Sequence, residues 1–146
     1  MTAVTPIHPA LAGSPHAALA PVISIIIACR NGAETLQETL DALTAQVWNQ
    51  PWEIVLADNG STDGSAAMFT AHATRNPHVQ MRIFDASAER GKSYALNAAI
   101  RDSKAPWFLF CDTDDVVAPG WLAAMAAALH HHPFIAARMD FNLLNE

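Results

Sequence analysis

Charge is scarce in this chain: Asp, Glu, Lys and Arg make up only 15% of its 146 residues, and the formal balance is −6. A protein so balanced does not hold an extended polyanion by bulk attraction, which excludes nucleic acid as a general partner and means that a bound anion must be met locally. Cysteine is as sparse. Cys29 and Cys111 each end an apolar run instead of forming a spaced framework, so reduced buried thiols are expected and a structural disulfide is not. No stretch approaches the ~18 apolar residues of a bilayer-crossing helix, so no membrane span is expected. Residues 1–21 hold no lysine or arginine and no uninterrupted apolar core, so they lack the charged start and apolar region of a secretory signal and are expected to be a flexible tail. The remainder, 22–146, is the size of one domain, expected in the cytoplasm or at the periphery of a membrane.

What is plentiful is apolar sequence, 51% of the chain, arranged in runs that alternate between two periods. Residues 22–29 are β-branched and apolar on both faces, as a central parallel strand requires. Asn31 with Glu34 three residues on reads as a capping box, followed by a helix with Leu36, Leu40, Leu43 and Val47 on one face, ending at Gln46 or Val47. A second strand over 52–57 delivers Asp58. The polar turn after it offers Ser61 or Asp63 as cap of a helix ending near Asn76 and Pro77. Residues 79–84 alternate Gln80 and Arg82 with apolar neighbours, the pattern of a half-exposed edge strand. A loop over 85–91 leads to a helix carrying Tyr94, Leu96, Asn97 and Ile100 that stops at Ser103. Pro119 suits the first turn of a last helix with Trp121, Leu122, Met125 and Leu129 inward. Residues 134–139 read as one more strand. Such alternation predicts an open, mostly parallel α/β sheet with helices on both faces, whose ligands bind beyond the carboxyl ends of the strands.

One stretch stands out. Trp107-Phe108-Leu109-Phe110-Cys111 reads as a buried central strand running into Asp112, Thr113, Asp114 and Asp115. Because side chains alternate along extended backbone, Asp112 and Asp114 can share a side with Thr113 turned away. Clustered carboxylates repel, and a divalent cation relieves that cost. An acidic turn that caps the next helix is the competing reading. Polar residues also collect after the other strands, at Arg30 and Asn31 and at Asp58 and Asn59, so that three strand ends point to one crevice. His130, His131 and His132, at a helix end before Pro133, face different directions and read as helix termination rather than a metal site.

These segments resemble those of the family 2 glycosyltransferases with the GT-A (nucleotide-diphospho-sugar transferase, Rossmann-like) fold. The resemblance rests on four motifs in order: Ala28-Cys29-Arg30-Asn31 after the first strand, Asp58-Asn59-Gly60-Ser61-Thr62-Asp63 after the second, Gly91-Lys92-Ser93-Tyr94-Ala95-Leu96-Asn97-Ala98-Ala99, and Asp112-Thr113-Asp114-Asp115, the family's Asp-x-Asp. It implies a nucleotide-diphosphate sugar donor bound by Ala28, Cys29, Arg30, Asn31, Asp58, Asn59, Arg90, Gly91, Lys92, Asp112 and Thr113. It also implies a divalent metal, Mg²⁺ or Mn²⁺, on Asp112 and Asp114, and an inverting transfer to a glycan, lipid or protein acceptor. The chain departs from the family pattern: Ala28 stands for Pro, Arg30 for Tyr, Asn59 for the second Asp, Leu96 for Arg and Ala99 for Gly. Arg30 can stack on a base through its guanidinium plane. No acceptor-side general base is identified, Asp140 included, so 22–146 reads as the donor-binding portion of a transferase, truncated on its C-terminal side. Two alternatives stand beside this reading: a nucleotide-binding module without catalysis, and a haloacid-dehalogenase-like phosphatase with Asp112 as nucleophile.

Overall fold

The computed structural model describes residues 19–137. Four parallel strands form one sheet: β1 (Ile23–Cys29), β2 (Trp52–Asp58), β3 (Gln80–Asp85) and β4 (Trp107–Cys111), in the order β3-β2-β1-β4. They alternate with four helices, α1 (Leu36–Thr44), α2 (Ser65–Arg75), α3 (Lys92–Asp102) and α4 (Trp121–Leu129). β1 and β2 are flanked on both sides and covered on both faces, which is why nearly every residue in them is buried. Period-2 alternation divides β1 between two cores. Ile23, Ile25, Ile27 and Cys29 pack with Leu36, Leu40 and Leu43 of α1, Phe69 of α2 and Leu122 of α4. Ile26 faces the other way, with Val55 and Ala57 of β2, onto Ala95 and Ala99 of α3. Burying each such isoleucine contributes roughly 1.5–3 kcal/mol, so this strand anchors the sheet.

The topology makes the crevice. From β1 the chain steps outward to β2 and β3, then α3 carries it back across the opposite face so that β4 pairs with β1 on its other side. The strand order therefore reverses between β1 and β4, and the loops leaving their C-terminal ends diverge to leave a gap.

Several expectations are corrected. β4 is not central: among the described residues it is an edge strand, with Phe108 half-buried and Phe110 50% exposed. Asn31 does not cap α1. It adopts a left-handed φ of 56°, and the helix starts only at Leu36, after Thr35. α1 stops at Thr44, because Gln46 turns its amide back to the carbonyls of Ala42 and Ala118, leaving Val47 82% exposed. Pro119 lies before α4 rather than in its first turn, Gly120 being the cap. Residues 134–137 are irregular, and the rest of the strand expected over 134–139 lies outside the described residues, as does Asp140. β3 is the expected half-exposed edge. No helix among the described residues is long and apolar enough to cross a membrane.

Candidate functional site

At the C-terminal ends of β1 and β2 a cavity of about 320 Å³ is lined by Ala28, Cys29, Arg30, Asn59, Arg90, Gly91 and Lys92. All seven were singled out from sequence, and the sheet brings them together from three separate segments. Each wall has a local cause. β1 ends at Cys29, and its carbonyl accepts the N–H of Asn59 at 2.8 Å, which closes the gap between the β1 and β2 exits. The Asn59 side chain turns toward the loop after β3, donating to the carbonyls of Ala86 and Glu89 and accepting the N–H of Gly91. Arg90 and Lys92 flank that glycine, whose φ of 136° suits a residue without Cβ.

Asn31 and Asp58, also singled out from sequence, do not line the cavity but hold the turns beside it. The Asn31 N–H donates to Ser61 Oγ and its Oδ1 accepts the N–H of Thr62, at 3.0 and 2.8 Å. Asp58 Oδ1 accepts the N–H of Ser61, three residues on, at 3.0 Å, which curls the segment back. Neither Ser61 nor Asp63 is the cap of α2, a place taken by Gly64 in a left-handed conformation; Asp63, one residue earlier, accepts the N–H of Ser65 and also the N–H of Ala33 at 2.8 Å. The Ser65 hydroxyl, and then the Ala33 N–H, hold its carboxyl below the ordinary carboxylate range. Thus the turn after β2 and the turn after β1 are stapled together. Sequence reading missed this staple, although the run Ser61-Thr62-Asp63-Gly64-Ser65 beside an Asn-Gly pair carries the short side chains that make such bonds.

The acidic lip follows β4. Asp112 and Asp115 close a turn, the Asp112 N–H donating to Asp115 Oδ2 at 2.8 Å. The strand ends at Cys111 and residues 113 and 114 lie in the turn, so strand alternation does not set their directions; the Thr113 methyl lies against Gly32, and its carbonyl accepts the hydroxyl of Thr39 at 2.8 Å. Lys92 reaches across from the cavity to donate to Asp112 Oδ1, so cavity and lip form one site. Asp114 is exposed, and its carboxylate makes no hydrogen bond among the described residues. Nor do the side chains of Arg30 and Arg90. No three or more of His, Cys, Asp and Glu converge as a metal centre among the described residues. Burial, with Asp115 and Asp112 adding to it, pushes the Cys111 thiol up to about 12, so this free thiol stays protonated and inert beneath the lip. Asn97 is exposed on α3 and caps nothing. The arrangement offers two guanidinium groups without partners among the described residues and a lysine on one side, and the carboxylates of the 112–115 turn on the other.

The sequence model of one family, described as "Glycosyl transferase family 2", matches residues 24–143. This chain belongs to glycosyl transferase family 2. Relatives agree: the family 2 chain is 32% identical over 100 residues to the glycosyltransferase YfnE of Bacillus subtilis (strain 168), covering 68% of this chain and 25% of that protein. It is 31% identical over 103 residues to the glycosyltransferase AglE of Haloferax volcanii, covering 70% and 33% respectively. Among solved structures it superposes on the mannosyltransferase PcManGT from Pyrobaculum calidifontis, in complex with GDP-Man and Mn²⁺. There the TM-score is 0.67 at 28% identity, covering 80% of this chain and 34% of that one. Staphylococcus aureus TarS, residues 1–349, shares the fold with a TM-score of 0.62. The fold is therefore the GT-A fold, and the chain spans 25–33% of the length of the first two relatives. Family membership displaces the phosphatase reading of Asp112.

Proposed function

We propose that this chain is the donor-binding part of a metal-dependent transferase that moves a sugar from a nucleoside-diphosphate sugar to an acceptor hydroxyl. The observation that carries the reading is the cavity that gathers Arg30, Arg90 and Lys92 beside Asp112. A nucleoside diphosphate needs cations for its phosphates, and Arg90 and Lys92 supply them, while Arg30 offers a planar face for the base. Ala28 and Cys29 line the cavity, and Asn31, Asp58 and Thr113 hold the flanking turns.

Asp112 and Asp114 fit a hard cation such as Mg²⁺ or Mn²⁺. Both lie in the turn after β4, the first paired through a lysine and a turn, the second without a hydrogen-bond partner among the described residues. Two carboxylates would hold such an ion without filling its coordination sphere, as suits an ion that also meets phosphate. When bound, the ion supplies neutralisation of charge on the departing diphosphate. The mannosyltransferase that superposes on this chain carries GDP-Man and Mn²⁺, which supports this combination of ligands here. The chain's own contribution is to bind and orient the donor. Deprotonation of the acceptor falls to a base that is not identified among the described residues, and inversion at the anomeric carbon is the expectation for the family.

Calorimetric titration with UDP and GDP, with and without Mn²⁺, tests the proposal. Metal-dependent binding of one of them, lost in Asp114→Ala, is expected. A folded chain that binds neither nucleotide overturns it.

A further inference from the structure

Asn59 is only 5% exposed, and its carboxamide is fully engaged by backbone of one loop. Nδ2 donates to the carbonyls of Ala86 at 2.5 Å and Glu89 at 2.7 Å, and Oδ1 accepts the N–H of Gly91 at 2.9 Å. All three partners lie between β3 and α3. The set demands two donors and one acceptor at a fixed reach. A carboxamide meets it, whereas an aspartate would direct an anionic oxygen at two carbonyls. The loop has little else to hold it: Ala86 is tied to the carbonyl of Asp58 and Ser87 to Asp85, but residues 87–92 are exposed. Its last two residues, Arg90 and Gly91, line the cavity together with Lys92, the first residue of α3.

We infer that Asn59 is a positioning residue: it pins the 86–91 loop and thereby sets Arg90 and Lys92 at the cavity, rather than reading the bound nucleoside through its own carboxamide. The loop assignment stands on geometry alone, while its consequence for binding rests on the donor-site reading above. That consequence is specific. Since both amide protons are committed to carbonyls, the residue at position 59 governs the phosphate side of the ligand and leaves the choice of base to other residues.

The test compares the wild-type chain with Asn59→Asp, Asn59→Ala, Arg90→Met and the Asn59→Asp/Arg90→Met double variant. Amide hydrogen exchange over residues 86–92, measured without ligand, is expected to accelerate about tenfold or more in both Asn59 variants as the loop opens. Affinities for UDP, GDP and pyrophosphate, titrated with Mn²⁺, are expected to fall together by about tenfold, the worth of one charge-assisted contact. Arg90→Met weakens binding in the wild-type background and adds little to Asn59→Asp, because the loop already misplaces Arg90. Unchanged loop exchange overturns the inference, and so does a loss confined to one base or fully additive with Arg90→Met. If both Asn59 variants fail to fold, nitrogen-15 spectra of the wild type decide: slow exchange of the Asn59 carboxamide protons supports the assignment, and free exchange overturns it. A loop that loosens in a chain binding neither nucleotide supports the pin and removes the donor-site reading.

Discussion

Gly32 offers the sharpest structural prediction, because its requirement is spatial. Its φ is not positive, so backbone conformation does not call for glycine there. A Cβ at this position would instead lie 2.9 Å from Thr113 Cγ2, 3.1 Å from Thr113 Cβ and 3.3 Å from Cys29 Sγ. Neither side yields readily. The Gly32 N–H donates to Ser65 Oγ and its carbonyl accepts the N–H of Leu36, both at 3.0 Å. Thr113 is stiff at χ1, and its carbonyl is held by Thr39. Gly32→Ala therefore overpacks the seam between the β1 turn and the acidic lip, at a cost of about 1–3 kcal/mol less the ~0.5 kcal/mol that alanine gains in the unfolded chain. The expected fall in Tm is roughly 3–8 °C for a domain of this size. Thr113→Ser removes the atom at 2.9 Å, so the double variant should melt above the temperature that adding the two single effects gives, by about 1 kcal/mol of coupling. Scanning calorimetry of the four proteins reads this directly. A Gly32→Ala chain as stable as wild type, or strict additivity with Thr113→Ser, refutes the packing argument.

Other consequences follow from side chains whose partners are equally explicit. Glu53, buried at the N-terminal end of β2, accepts the Ser24 hydroxyl at 2.5 Å and Arg82 Nε at 2.8 Å. Glu53→Ala is expected to cost about 2–3 kcal/mol in urea denaturation, less than the roughly 3–5 kcal/mol of a fully buried broken pair because the Arg82 side chain remains 35% exposed, and to leave nucleotide affinity unchanged. His72, buried between α1 and α2 against Thr44 and Gln37, is held below its ordinary pKa of 6.5 by desolvation, which the Asp41 carboxylate at 3.7 Å only partly offsets. As pH falls below about 6.5 the unfolded chain takes up this proton before the folded one, so stability should decline on acidification and level off below the folded-state pKa. Denaturation from pH 7.5 to 5 in wild type and His72→Gln checks this, and identical slopes count against it. Lys92→Met removes an exposed ion pair and should change stability by no more than about 0.5 kcal/mol, yet weaken nucleoside diphosphate binding about tenfold through loss of a phosphate contact.

Strand order of burial, the helix faces and the gathering of polar residues at strand ends were legible because each is written in local periodicity. β1 and β2, apolar on both faces, could only be interior strands. β4 looked the same, but its five apolar residues do not reveal whether a neighbour lies beyond, and Phe110 proves half exposed at an edge. Asn31 failed as a cap for a tertiary reason: its side chain is engaged by Thr62, some thirty positions away, a partner that no local signature discloses. Asn59 was recognised by position in its motif, while its work on the 86–91 loop depends on β3 lying beside β2. Glu53 and His72 escaped notice because a lone charged or polar residue in an apolar run gives no hint of the partner waiting across the sheet or on the next helix.

The central claim is that one cavity, with the lip beside it, receives a nucleoside diphosphate and its metal. The most direct measurement is nitrogen-15 correlation spectroscopy of the labelled chain titrated with GDP or UDP and Mg²⁺, then repeated with Mn²⁺. The account predicts shifts at Arg30, Asn59, Gly91 and Lys92, with paramagnetic broadening by Mn²⁺ centred on Asp112 and Asp114. Shifts and broadening that fall elsewhere on the sheet, or none at all in a folded chain, contradict it.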